Sequence, residues 1–208
     1  MENISEAVIK RLPIYYRNIC FMEAEGLSKI TSQTLAERVG NSSVQVRQDF
    51  FACGGIEGYS IPNIKKWLIK TMGIENEHHM IVIGAGNLGR ALISYKDFEK
   101  DGFFIDAVFD SNPSLLGLNI NGIPILSINL LEKYLSDNEV DIAVYAAPAN
   151  VAEKILTKVA AAGVKGVWNF APVDLHSIDG IKIQNVHLCD SLLTLSFRIN
   201  EKEKCLVE

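Results

Sequence analysis

Three glycines and one acid carry the strongest chemical signal in this chain. Gly84, Gly86 and Gly89 stand in the run Gly84-Ala85-Gly86-Asn87-Leu88-Gly89. Each position in a GxGxxG spacing has its own task. The first glycine allows a tight turn, the second lets backbone approach a pyrophosphate, and the third lets the following helix pack on its sheet. The N-terminus of that helix offers unpaired N–H groups and a positive dipole end to the phosphates. Asp110 follows Gly89 by twenty-one residues. It is suited to accept from the adenine-ribose hydroxyls and to repel a 2′-phosphate. Ser111 and Asn112 come next, with no arginine, which favours NAD(H) over NADP(H).

Groups for catalysis on that cofactor are sparse. Tyr95 is followed by Lys96 and Lys100, so no lysine stands four residues on. Of the histidines, His78 and His79 precede the glycine run closely, His176 falls in a loop after Pro172, and only His187 is placed to reach a cofactor. A hydride transfer needs a group that moves a proton in step, and no such pair is evident. The four cysteines, Cys20, Cys53, Cys189 and Cys205, include no CxxC pair. They read as reduced thiols, with no metal site.

The elements that position the glycine run are legible on both sides of it. His79-Met80-Ile81-Val82-Ile83 is a buried-strand pattern. Leu88, Ala91 and Leu92 give the next helix an apolar face, and residues 103–109 form the strand that ends at Asp110. Strands are then expected over 123–126, 141–146, 165–169 and 181–186. Helices are expected over 127–136, 151–162 and 188–199. Alternation of this kind implies a doubly wound parallel sheet. Ligands bind such folds at the carboxyl ends of strands, here the loops after Ala146 and Trp168.

The 208 residues divide by charge near residue 75. Residues 1–75 carry nine basic and eight acidic side chains, and residues 76–208 carry eleven and seventeen. The first part reads as helices: 5–25, which Pro13 should bend or restart; 31–40, capped by Thr31 or Ser32; 43–51, capped by Ser42 or Ser43; and 62–72. A small strand is expected over 57–61. Two short helices joined by a glycine turn have helix-turn-helix spacing, and with the strand they make a winged helix. Gln45, Arg47 and Gln48 lie on the second short helix. Glutamine can pair with adenine, and arginine with guanine or phosphate. The same pattern suits a small helical packing domain. The first residues lack the basic head and apolar run of a signal peptide. No apolar stretch approaches the ~18 to 20 residues of a membrane span. A soluble, cytoplasmic protein is expected.

The whole chain resembles the Rex family, the redox-sensing transcriptional repressors of bacteria. The resemblance rests on Lys10-Arg11-Leu12-Pro13-Ile14-Tyr15-Tyr16-Arg17, Gln45-Val46-Arg47-Gln48-Asp49, the glycine run through Leu92, and Phe109-Asp110-Ser111-Asn112-Pro113. It extends to Gly163-Val164-Lys165-Gly166-Val167-Trp168-Asn169-Phe170-Ala171-Pro172 and Leu192-Leu193-Thr194-Leu195-Ser196-Phe197. It implies a winged-helix DNA-binding domain at 1–75, a Rossmann domain at 76–187, and a C-terminal helix and tail at 188–208 exchanged between the subunits of a homodimer. It implies a repressor, not an enzyme, that binds palindromic double-stranded operator DNA. NADH releases it, and NAD+ competes.

Residue roles follow from the same resemblance. Gly84, Ala85, Gly86, Asn87, Leu88, Gly89 and Asp110 would bind the dinucleotide, with Ala147, Pro148, Asn169, Phe170, Ala171 and Pro172 around the nicotinamide. Ser43, Gln45, Arg47, Gln48 and Tyr59 would face DNA. Arg11, Tyr95 and His187 would take part in the switch. Two departures stand out. The stretch from Asp49 to Tyr59 is shorter than the family's usual wing region, has no Lys or Arg and carries Glu57, although basic wing residues favour the minor groove. His187 replaces an aspartate that pairs with Tyr95 or Arg11, which suggests a pH-sensitive switch because histidine titrates near neutrality. The runner-up reading is a divergent relative that binds NAD(H) and dimerises but has weak or no operator binding. A small NAD-dependent oxidoreductase ranks third.

Overall fold

The computed structural model describes residues 4–176 and 180–204, so Cys205 and the tail beyond it lie outside the described residues. The chain forms two compact units, Met1–Asn76 and Glu77–Glu208.

Among its described residues, the first unit is built from four helices whose starts are set by hydroxyl caps. Ser5 caps α1 (Glu6–Ala24), Thr31 caps α2 (Ser32–Val39), Ser42 caps α3 (Ser43–Ala52) and Ser60 caps α4 (Ile61–Met72). Gly40 and Gly73, in left-handed backbone, end α2 and α4. Pro13 does not restart the first helix: α1 runs through it. The ring lies on the exposed side, one turn after the half-exposed Ile9, so water can serve the carbonyl that Pro13 cannot. The core of this unit joins Leu12, Tyr15, Ile19 and Met22 of α1 to Leu35, Val46, Phe50, Ile64 and Leu68. The small strand expected over 57–61 is reduced to one antiparallel bridge, Lys29 with Ser60. Two backbone bonds flank it, Ile30 N–H to Tyr59 and Ile61 N–H to Ser28. Few residues separate α3 from α4, so the wing has no room for a longer ladder.

The second unit is a seven-stranded sheet with helices on both faces. Its strands are β1 (His78–Ile83), β2 (Phe103–Asp110), β3 (Asn119–Ile120), β4 (Ile123–Ser127), β5 (Ile142–Tyr145), β6 (Gly166–Asn169) and β7 (Lys182–Asn185). The order is β3-β4-β2-β1-β5-β6-β7. All neighbours are parallel except β3 with β4. Leaving out that edge hairpin, the order is the Rossmann one, with its switch point between β1 and β5. Strand alternation splits the core. Ile81, Ile83, Phe109, Ala143 and Tyr145 pack with α7 (Leu131–Asp137) and α8 (Ala152–Ala161). Met80, Val82, Val108 and Val144 pack with α5 (Asn87–Ile93) and the short α6 (Asp97–Lys100).

The last helix, α9 (Leu188–Lys204), differs from the rest. Leu188, Leu192, Leu193, Leu195, Phe197 and Ile199 are all more than half exposed within this chain. A run of large apolar side chains left in water is a mark of an interaction surface.

Candidate functional site

The glycine run lies between β1 and α5, at the switch point. Gly84 has φ +106°, and a Cβ there would meet the Ala146 carbonyl oxygen at 2.6 Å. The residue is therefore fixed twice, by backbone conformation and by the approach of the β5 end. A Cβ on Gly89 would lie 1.9 Å from the Gly84 oxygen, so the first turn of α5 packs directly on the loop. A Cβ on Gly86 would meet nothing within 4 Å. Its open side is space that a ligand's phosphates can use.

Asp110 closes the loop from β2. One carboxylate oxygen accepts from Ala85 N–H at 2.6 Å and the other from Asn112 N–H at 2.7 Å. Arg90 braces the loop from α5, its Nε donating to the Ala85 carbonyl at 3.0 Å. Each Asp110 oxygen keeps a lone pair for a further donor. A cleft of about 660 Å3 opens at this end of the sheet. Gly84, Gly86, Asp110, Ser111, Ala147 and Pro148 line it beside the apolar Ile128, Val151 and Ile155. The cleft combines apolar side chains, a glycine cradle, the Asp110 carboxylate and two lysines, Lys154 and Lys158, and these residues fit an adenosine with attached phosphates. Asn87 and Leu88 form the first turn of α5 behind the cradle.

The segment after β6 is held by Asn169. That side chain is buried and both its amide hydrogens are used: its nitrogen donates to the Val173 carbonyl and to Asn185 Oδ1, both at 2.8 Å, and its oxygen accepts from Ala171 N–H at 2.9 Å. It shapes the turn from within. Pro172 is exposed and Ala171 buried. Phe170 packs on Trp168 at 4.6 Å between ring centres, Trp168 on Phe98 at 5.7 Å, and Phe98 on Tyr95 at 4.9 Å. Ring contact therefore runs from the β6 loop to Tyr95, which is otherwise half exposed. Tyr145 fixes the other loop, its hydroxyl donating to the Pro148 carbonyl at 2.7 Å. Burial pushes its phenol up to about 12.

In the first unit, α3 is the second helix of the helix-turn-helix. Its buried side holds Val46, Asp49 and Phe50, and its opposite side presents Val44, Arg47, Gln48 and Phe51. Ser43 and Gln45 lie on the flanks, half buried. The Gln45 amide donates to Asp49 at 2.7 Å, and Arg47 donates to Ser32 at 3.0 Å. Tyr59 stacks on Phe50 at 6.1 Å beneath the bridge.

Arg11 meets Asp49 at two points, 2.6 and 2.7 Å, and the Tyr15 hydroxyl donates to the same carboxylate at 2.6 Å. Burial alone would raise the Asp49 pKa, but donation from Arg11, Tyr15 and Gln45 outweighs it and the pKa is lowered. His187 does not reach Tyr95 within the chain. Its Nε2 pairs with Asp174 Oδ1 at 2.8 Å, because parallel pairing of β6 and β7 brings the residues after each strand together. That hydrogen bond raises the His187 pKa. Sequence reasoning missed Asp49, Tyr145, Arg90 and Asp174 as partners: Asp49 meets Arg11 across thirty-eight residues and Asp174 meets His187 across thirteen, while the short-range bonds of Tyr145 to Pro148 and of Arg90 to Ala85 leave no periodic signal.

A family model described as a CoA binding domain matches residues 75–173, and one described as a putative DNA-binding protein N-terminus matches residues 3–50. The Redox-sensing transcriptional repressor Rex of Clostridium tetani is 41% identical over 206 residues, covering 97% of this chain and 98% of that protein. The chain belongs to the Rex family of transcriptional repressors. A solved Rex-family repressor, RSP, matches over 100% of both chains with 38% identity and a TM-score of 0.93. RSP solved with NADH matches at a TM-score of 0.91 over 98% of this chain and 97% of that one. RSP with NAD+ and operator DNA matches at 0.90, over 98% and 95%. Membership in Rex makes this a non-enzymatic regulator with a helical DNA-binding domain, a Rossmann-like sheet and a C-terminal helix. No described helix is long and apolar enough to cross a membrane.

Proposed function

We propose that this chain is an NAD(H)-responsive repressor that holds operator DNA as a homodimer and lets go when NADH binds. The observation that carries the reading is the cradle at the switch point: Gly86 open to the cleft, Gly84 and Gly89 each barred to a side chain, and Asp110 clamping Ala85. RSP, a relative alike over the whole chain, is known with NADH and with NAD+ and operator DNA.

In this reading the phosphates lie on the Gly86 face, at the N-terminus of α5. Adenosine fills the slot of Ile128, Val151 and Ile155, and its ribose hydroxyls donate to Asp110. Ala147 and Pro148, and the turn of Phe170, Ala171 and Pro172 shaped by Asn169, flank the nicotinamide. The ring contacts from Phe170 to Tyr95 tie that turn to the switch. The α9 helices exchange between subunits, which covers their exposed leucines and Phe197 and makes the dimer obligate. On the DNA side Arg47 and Gln48 face the major groove, Ser43 and Gln45 flank them, and Tyr59 supports the bridge. Arg11 acts through Asp49, fixing α3 on α1. NADH favours a dimer in which the two α3 helices no longer match successive major grooves. Its leverage equals its differential affinity for the two dimer forms.

A second reading has its own observation. The wing is a single bridge, its tip carries the exposed Glu57, and no cation stands between Arg47 and Lys65. A relative with weak operator binding would look the same. Release separates the two: DNA held by the chain must dissociate on NADH and stay bound on NADPH.

A further inference from the structure

The exposed stripe of α3 contains an aromatic ring that the functional reading leaves unused. Phe51 is 83% exposed, more than any other large apolar side chain described. It shares the side of α3 opposite Val46, Asp49 and Phe50 with Val44, Arg47 and Gln48. Val44, also half exposed, stands seven residues earlier, about 10 Å along the helix, or roughly three base-pair steps. The chain turns away directly after the ring. Gly54 and Gly55 both have positive φ, +95° and +77°, and this sharp turn leaves the ring uncovered. The stripe has one cation and no exposed acid, because Asp49 is buried under Arg11. A helix face of this composition, on the second helix of a helix-turn-helix, suits DNA better than an aqueous surface.

We infer that Phe51 is a base-reading residue that packs on the C5-methyl group of a thymine in the major groove. The proposal deepens the repressor reading and rests on it. Base edges in the major groove differ in hydrogen-bonding groups and in that methyl, and apolar side chains, phenylalanine among them, are its partners. Arg47 and Gln48 supply polar contacts on the same face, and Phe51 adds one that depends on shape. It also compensates for a wing without cations, since apolar contact adds affinity that salt does not screen.

The experiment uses the full-length chain. A duplex is first enriched from a random-sequence pool, and each thymine is then replaced singly by deoxyuridine, which keeps pairing but lacks the methyl. Affinities are measured for wild type and Phe51→Ala. In wild type, one thymine in each half-site should cost about fourfold when its methyl is lost, and both together about fifteenfold. In Phe51→Ala the same replacements should cost nothing, and the melting temperature should stay close to wild type because the ring is 83% exposed. Equal methyl costs in both proteins, or none in wild type, would overturn the role of Phe51 and leave the repressor reading standing. Failure of wild type to enrich any duplex over a scrambled one would overturn both.

Discussion

Arg11 and Asp49, thirty-eight residues apart, form a two-point ion pair that fastens α1 to α3. The carboxylate is fully buried and the guanidinium is at the edge of the core. The pair therefore fixes the orientation of α3 on α1. Removing one partner leaves a buried group unsatisfied. Asp49→Asn should destabilise the first unit by about 2–3 kcal/mol, less than a fully enclosed pair because Arg11 reaches solvent. Chemical denaturation at pH 7 reads this directly.

The same pair sets a pH dependence. The Asp49 pKa lies below the ordinary carboxylate value: burial pushes it up, and the donors Arg11, Tyr15 and Gln45 more than reverse that. Its stabilisation is therefore complete above the unfolded-state pKa and is lost as pH falls through the folded one. Wild type should lose stability on acidification in that range. Asp49→Asn should show a flatter profile.

Gly86 and Gly89 should separate binding from folding. Alanine at Gly86 meets open space and should leave the melting temperature nearly unchanged while weakening NADH binding tenfold or more by occupying the phosphate side of the loop. Alanine at Gly89 would stand 1.9 Å from the Gly84 oxygen, so it should destabilise the second unit itself. Thermal melting beside an NADH titration distinguishes the two.

Asp110→Ala frees Ala85 N–H and, in the proposed reading, removes the acceptor for the ribose hydroxyls. A loss of about 1–3 kcal/mol in NADH affinity is expected from the unpaired groups. Discrimination against NADPH should narrow, since the repelling charge is gone. Calorimetric titration of both cofactors measures it.

The hydrogen bond to the Asp174 carboxylate raises the His187 pKa above its ordinary value. Interaction with this raised group is fully present below the unfolded-state pKa and fades as pH rises through the folded one. Asp174→Asn should lower the His187 titration midpoint seen by NMR. If the histidine takes part in the switch, the pH dependence of NADH affinity should shift with it.

Much of this was legible in the sequence, and the boundary follows sequence distance. The helices and most strands announce themselves through local periodicity and through caps such as Thr31 and Ser42. The glycine cradle is legible because each glycine answers a backbone requirement within one loop. Pro13 misled because a helix tolerates a missing donor where water can serve the freed carbonyl. The short α6 and the two-residue β3 carry too few residues for a period. Asp49, Asn169 and Asp174 act through pairings that a linear reading does not show. Asn169 donates to Val173 and Asn185 and accepts from Ala171 N–H, a set of bonds that no local period announces.

The central claim is that one ligand controls the hold on DNA. Fluorescence anisotropy of a labelled palindromic operator duplex, titrated with the full-length protein at fixed salt, tests it most directly. Submicromolar binding that NADH abolishes and NADPH leaves intact is the expected result. Binding no tighter than to a scrambled duplex, by protein that still takes up NADH, would contradict it.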